Sequence, residues 1–342
     1  MSKITLATVA DAAGVSPAAA SLALRGKSGV STDTRHRIIT TAKDLGYEMR
    51  APVGRAATIG LLVKTHADDN GTTNAFYGPV ISGITDACRT RGIDVRLAAM
   101  PVDEHFDPIE IPTLVSEPTT DGIIVLGAYL TERSADLLAG QPMVLVDGYS
   151  ERADEFLSIV TDNVGGMRTA TEHLIDAGHR RIALVGTTPG AFPSIRERRT
   201  GYIDAMAAAG LDPLFVDGYH DDDPQLRSDV AAAVRSDRSI TAIACANDTS
   251  ALACADEIQN AGLRVPGDVS VVGFDDIDAA GRVRPALTTV AVDKPAMGRI
   301  AVSMLRHRID HPNDPAVVIA QRTHLVVRKS TRTVRASTAA TT

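Results

Sequence analysis

Carboxylates and amides collect at the ends of apolar runs in this sequence. Asp147 follows VLV, Asn247 and Asp248 follow IACA, and Asp275 and Asp276 follow VVGF. A single acid after an apolar run is commonly a helix cap or a surface turn. Run ends repeatedly rich in Asp and Asn match a hydroxyl-rich ligand better, because carboxylates accept hydrogen bonds from hydroxyls and amides both donate and accept. Catalysis is not indicated. There is no GxSxG elbow, GxxxxGK[ST] phosphate loop, HExxH pair or GxGxxG after a strand-like run, so no catalytic residue and no cofactor are expected. His173 and His179 flank a helix end and read as a solvated or capping pair, not as metal ligands. Cys88, Cys245 and Cys254 are too few and scattered for a disulfide framework or a zinc site, and are expected to be reduced and mostly buried.

The elements that would position these groups alternate along most of the chain. Strand-like runs fall at 58–63, 93–100, 121–127 and 142–148, with a helix near Tyr77 to Arg91. The pattern restarts with a helix near Gly165 to Asp176. Strand-like runs at 181–186, 215–219, 242–248 and 269–276 then alternate with helices near Arg196 to Ala209, Pro224 to Arg235 and up to Ala261. LTTVAVD at 287–293, a helix near Pro295 to Arg308 and the run VVIAQRTHLVVR at 317–328 follow. Fully apolar strands alternating with helices predict parallel sheets covered on both faces, here as two doubly wound α/β lobes. Ligands are expected at the carboxyl ends of such strands.

The first part of the chain has a different texture. Thr5 to Leu24, TLATVADAAGVSPAAASLAL, reads as two short helices about a tight turn at Ala13-Gly14-Val15. Thr5 can cap the first helix, Gly14 supplies the positive φ of the corner, and Ser16-Pro17 opens the second helix, with Gly26 as a stop. Val9, Ala10, Ala13, Val15 and Ala20 would close a small core, leaving Pro17, Ala18, Ser21, Leu22 and Arg25 outward. This is a helix-turn-helix signature suited to a DNA major groove. Ser31 then caps a third helix to Leu45 with Ile38, Ala42 and Leu45 on one face, and Arg35, His36, Arg37 and Lys43 elsewhere. The segment YEMRAPVGRAAT at 47–58 reads as a basic linker broken by Pro52 and Gly54.

Charge divides the same way. Residues 1–58 hold eight Lys and Arg against four Asp and Glu, a net +4 within a chain of net −7. A positive head fits polyanion binding, and an acidic body resists unspecific nucleic-acid contact. At 342 residues with 44% hydrophobic content, two or three structural units are expected. No apolar run approaches a membrane span, and MSKITLATVADAAG lacks the succession of a secretory signal, so a cytoplasmic location is expected. That argues against a solute-binding component of a transporter, the alternative that the core by itself would suit.

Taken in order, these motifs resemble the LacI family of transcriptional regulators along essentially the whole chain. The resemblance is carried by TLATVADAAGVSPAAAS, NAFYGPVISGI at 74–84, TDNVGG at 161–166, HLIDAGHRRIALVG at 173–186, RRTGYIDAM at 198–206, ACANDTSALA at 244–253, GLRVPGDVSVVGFDD at 262–276 and RPALTTV at 284–290. It implies an all-α helix-turn-helix headpiece on a two-lobed, periplasmic-binding-protein-like core. It further implies a repressor that reads a near-palindromic double-stranded DNA operator as a homodimer, with a small, sugar-like effector between the lobes. The division expected is a DNA-binding domain at 1–46, a linker at 47–58, a first lobe at 59–162 and 291–320, a second at 163–290 and 321–330, and a flexible tail at 331–342. The tail carries no leucine heptads, which predicts a dimer and not a zipper-built tetramer.

Carried over by position, the resemblance places base reading at Pro17, Ala18 and Leu22, and phosphate contacts at Thr5, Ser16, Ser21 and Arg25, with Arg50 and Arg55 in the linker. Effector contacts fall at Asn74 and Phe76 in the first lobe, at Asp147 near the hinge, and at Arg198, Asn247 and Asp275 in the second. Without the resemblance, Arg198 would read as a surface residue in the run Arg196, Arg198, Arg199. The chain departs from the family at three places. Thr8 stands where Asp is common, weakening the charged cap; Ala19, Ala20 and Leu22 replace Thr, Val and Arg, removing a bidentate contact to guanine; and the linker is about one helical turn short, without the leucine that wedges into the minor groove.

Overall fold

The computed structural model describes residues 4–24, 29–45, 47, 57–65, 75–116, 120–138, 140–216 and 224–334. The headpiece contains α1 (Leu6–Ala13), α2 (Pro17–Leu24) and α3 (Thr32–Asp44). Gly14 adopts φ 66° and ends α1 with its N–H on the carbonyls of Ala10 and Asp11, and α1 and α2 meet at 102°. Val9, Ala10, Ala13, Ala20, Ala23, Ile38 and Ala42 are buried together, alanine letting the helices approach closely. The core this closes is small. Thr8 also acts differently from the sequence expectation. It forms a reciprocal cap with Thr5, whose Oγ1 accepts from Thr8 N at 3.3 Å while Thr8 Oγ1 accepts from Thr5 N at 3.4 Å, so two hydroxyls satisfy the first turn without a charge.

Internal contacts divide the protein into one unit of Met1–Val160 with Lys294–Ile319 and another of Thr161–Asp293 with Ala320–Thr342. The elements in chain order are β1 (Thr58–Thr65), α4 (Tyr77–Arg89), β2 (Asp94–Pro101), β3 (Gly122–Leu126), β4 (Tyr129–Leu130), α5 (Glu132–Leu138), β5 (Met143–Val146), β6 (Tyr149–Ser150) and β7 (Leu157–Thr161). Next come α6 (Asn163–Asp176), β8 (Ile182–Val185), α7 (Pro193–Ala208), β9 (Leu214–Val216), α8 (Pro224–Ser236), β10 (Ala242–Cys245), α9 (Asp248–Asn260), β11 (Ser270–Asp275), α10 (Asp278–Arg282) and β12 (Thr288–Ala291). Finally α11 (Lys294–Asp310), β13 (Val318–Gln321) and β14 (His324–Val326) complete the described chain.

The first sheet runs β13-β7-β5-β3-β1-β2 and the second β14-β12-β11-β10-β8-β9. Pairings among β2-β1-β3-β5-β7 and among β9-β8-β10-β11-β12 are parallel, and β14 is antiparallel to β12. β3, β5, β8 and β10 are buried throughout, as their unbroken apolar sequences require, and β12 is buried although Thr288 and Thr289 begin it. Coverage on both faces fails at β2, an edge strand that is largely exposed, with Leu97 60% accessible. The run 317–328 is also not one strand. It turns at Arg322-Thr323 and serves both sheets, and β7, absent from the sequence reading, supplies the neighbour of β5.

Candidate functional site

In the second unit the strand ends carry a connected polar network. Arg198, on α7, is only 4% exposed, which overturns the surface reading of the Arg196–Arg199 run. Its guanidinium donates from Nε to Asn163 Oδ1 at 2.9 Å and from Nη1 to the Ala246 carbonyl at 2.7 Å. Nη2 lies 3.2 Å from Asp275 Oδ1, and the plane stacks 3.8 Å above the Phe274 ring. A planar fork suits this use, because one group can meet oxygens in several directions while its face covers an aromatic. The Arg198 fork is thus engaged inside the protein. Asn163 donates in turn to the Thr161 carbonyl at 3.1 Å and to Glu197 Oε2 at 2.8 Å.

Asn163, Glu197 and Phe274 were not identified from sequence as site residues. TDNVGG and VVGFDD carried the only signal, since both lie where a strand ends before a helix. Asn247 caps α9, its Oδ1 accepting from Ser250 N at 2.8 Å. Asp248 beside it is wholly buried. Burial first, then the negative charges of Asp275 and Asp276, push its carboxyl up to about 7, against hydrogen bonds from Thr289 and Ile277 N that favour the charged form.

At the strand ends of the first unit the chemistry is more aromatic. Phe76 and Tyr77 begin α4 and meet edge to face with ring centroids 5.3 Å apart. Tyr77 Oη donates to Asp147 Oδ2 at 2.8 Å, and Lys64 Nζ lies 5.7 Å from the Tyr77 ring centre. Phe76 and Asp147 are therefore joined through Tyr77, a residue the sequence reading did not single out. Gly127 is required here, since it takes φ 72° and a Cβ would overlap Tyr77 Oη. Asn74 lies outside the described residues.

In the headpiece, Ser16 Oγ accepts from Ala19 N at 3.1 Å and opens α2, and Thr5, Pro17 and Ala18 are exposed. Ser21 and Leu22 are half-buried, so the outward face of α2 is narrower than the sequence implied. Arg25, Arg50 and Arg55, like Pro52 and Gly54 of the linker, lie outside the described residues.

The histidine pair also requires correction. His179 is fully buried, with Nδ1 2.8 Å from Thr241 Oγ1 and Nε2 3.1 Å from the Arg332 carbonyl, and burial lowers it to about 4. His173 is half-buried, 3.2 Å from Thr331 Oγ1, and is lowered by the same cause. Neither is a solvated group. Cys88, Cys245 and Cys254 are buried and form no disulfide, and among the described residues no His, Cys, Asp and Glu cluster could hold a metal. No described helix is long and apolar enough by itself to cross a membrane.

Comparison with known proteins bears on both regions. Residues 5–49 match the bacterial regulatory proteins of the lacI family, and residues 171–331 match a periplasmic binding protein-like domain. The HTH-type transcriptional repressor PurR of Photobacterium profundum is 32% identical over 346 residues, covering 96% of this chain and 98% of that protein. The ribose operon repressor of Haemophilus influenzae is 28% identical over 334 residues, covering 95% and 98%. Of solved structures, the transcriptional regulator CelR in its cellobiose complex aligns with TM-score 0.65 at 30% identity, over 96% of this chain and 100% of that one. The lac repressor dimer bound to operator and the anti-inducer ONPF shares the fold, with TM-score 0.67 at 23% identity over 97% and 100%. Similarity that spans headpiece and core together, among repressors and not enzymes, places the strand-end carboxylates in a regulator: the chain belongs to the LacI family of bacterial regulatory proteins.

Proposed function

We propose that this protein is a sequence-selective DNA-binding repressor, acting in the cytoplasm as a homodimer on a near-palindromic operator, and that a sugar-like effector releases it from DNA. Its proposed DNA contacts are Thr5, Ser16, Pro17, Ala18, Ser21, Leu22 and Arg25, with Arg50 and Arg55 of the linker adding phosphate contacts. Its proposed effector contacts are Asn74, Phe76 and Asp147 in one core unit and Arg198, Asn247 and Asp275 in the other.

The observation that carries the effector reading is the Arg198–Asp275 pair. Arg198 already meets Asn163, Ala246 and Asp275, so the pair offers a balanced charge to a ligand and favours neutral hydroxyls over another anion. Sugar is further supported by the ribose operon repressor and the cellobiose complex among the relatives. Leu97 and Ile109 of unit one are exposed large hydrophobic side chains, which supports association with a second copy.

A gel shift of the full chain on DNA from upstream of its own gene is expected to give a sequence-selective complex that weakens as salt rises. Failure to form one with or without any ligand would sink the proposal. Thermal stabilisation measured across sugars, polyols, sugar phosphates and nucleosides should single out neutral sugars or polyols. Asp275→Ala should abolish the effector response yet leave operator binding intact, and joint loss of both would contradict the assignment.

A further inference from the structure

We infer that Asp248 is a positioning residue of the effector site, clamping the strained turn at Asp275-Asp276 so that the Asp275 carboxylate keeps its direction. The inference rests on the reading of Asp275 as an effector contact. Asp248 opens α9 and has 0% of its surface exposed. Its carboxylate meets three other chain positions. Thr289 Oγ1 on β12 donates to Oδ1 at 2.5 Å, Ile277 N donates to Oδ2 at 2.8 Å, and Oδ1 occupies the space in which a Cβ on Gly273 would stand.

Gly273 and Ile277 bracket Asp275 at equal sequence distance, so one side chain packs against the segment before it and bonds the backbone after it. Within that bracket Asp275 has φ 108° and Asp276 φ 51°. Non-glycine residues hold such angles only where their surroundings over-determine them. Arg198 holds Asp275 and Arg328 Nη2 holds Asp276 Oδ1 at 2.7 Å, but both act on side chains. Of these groups, Asp248 is the one that grips the backbone.

The clamp is also linked to a proton. The charges acting on Asp248 come from Asp275 and Asp276 at the end of β11, whose partners are Arg198 on α7 and Arg328 beyond β14; β12 presents the Thr289 hydroxyl. A protonated Asp248 can donate to Thr289 from one oxygen while the other still accepts from Ile277 N. Ionised, it keeps the same contacts but repels Asp275. The turn should therefore be held more tightly below neutrality than above it.

The test uses the full chain as wild type, Asp248→Asn and Asp248→Ala. Amide exchange over residues 271–280 is followed at pH 6 and pH 8, corrected for intrinsic rates, and titrations with D-ribose and with cellobiose run alongside. Asp248→Asn keeps the shape and both contacts, and is expected to match wild-type protection and sugar affinity while losing the dependence of protection on pH. Asp248→Ala should speed exchange in this segment at least about tenfold, leave residues 182–185 protected, weaken sugar binding at least about tenfold and spare operator binding. Wild-type behaviour of the alanine variant, or equal loss of protection across the whole unit, overturns the clamp, as does failure of Asp248→Asn to rescue. If neither sugar binds wild type while Asp248→Ala opens this segment selectively, the sugar reading fails and the clamp stands.

Discussion

The two core units share a doubly wound parallel topology but dress their strand ends with different chemistry. In the first, Phe76 and Tyr77 form an aromatic corner and one phenol meets one carboxylate, Asp147. In the second, Arg198, Asp275 and Asn163 form a buried ionic network, and the buried Asp248 bonds Ile277 N and Thr289. The difference separates two tasks. A flat aromatic face adds apolar contact with little directional demand, whereas a charge network is pre-oriented and costly to disturb. On the proposed effector reading, directional selection among hydroxyls falls to the second unit and contact area to the first.

Removing the centre of the ionic network should produce the largest effect. Arg198→Ala leaves Asp275 buried without its cation and strips Asn163 and the Ala246 carbonyl of a donor, so a loss of about 3–5 kcal/mol in stability is expected by urea denaturation followed by circular dichroism. Effector response should vanish with it. A loss below about 1 kcal/mol would show that the network is not the stiff half of the comparison.

Asp248→Asn should give the next effect, visible in the pH dependence. Because burial and like charge raise the folded-state pKa from 3.8 to about 7, the folded protein retains a proton that the unfolded chain has released between those values. Wild-type stability from this group is therefore greatest below pH 3.8 and falls as pH rises toward 7, by at most about 1.4 kcal/mol per pH unit. The variant should lack that decline. Denaturation series across pH 4 to 8 on both proteins check it, and parallel curves would remove the proton from the account.

Tyr77→Phe tests the first unit and should matter least. It deletes the donor to a buried Asp147 oxygen while keeping the ring against Phe76, so a cost of about 1–2 kcal/mol is expected, with effector affinity reduced less than by Arg198→Ala. A larger effect on affinity here than at Arg198 would reverse the division of tasks.

Much of the architecture was legible in the residues, and the failures have physical reasons. Unbroken apolar runs such as GIIVL and VVGF announce strands covered on both faces, and the Thr5 to Leu24 stretch announces its own corner through Gly14 and Ser16-Pro17. LSIVT of β7 escaped notice because it lies directly between the acidic ERADEF and the start of α6, with no turn residue to punctuate it. The exposure of β2 could not be read from IDVRLAAM, since edge position is set by which strands pair and not by the strand itself. At the site, the polar strand ends were visible as a class but their partners were not: Asn247 caps α9, while Asp248, next to it, reaches across to β12 and Ile277.

What the amino-acid sequence determined by itself is therefore everything local and periodic: the helical corner of the headpiece, the alternation that forces parallel sheets, and the placing of Asp and Asn where those strands end. Tertiary structure alone decided which of these groups meet. Arg198 is separated by 77 residues from Asp275, and Asp248 by 41 from Thr289, so no spacing rule connects them. Pairing order in the sheet brings β10, β11 and β12 side by side, and only that juxtaposition turns scattered charges into one buried network.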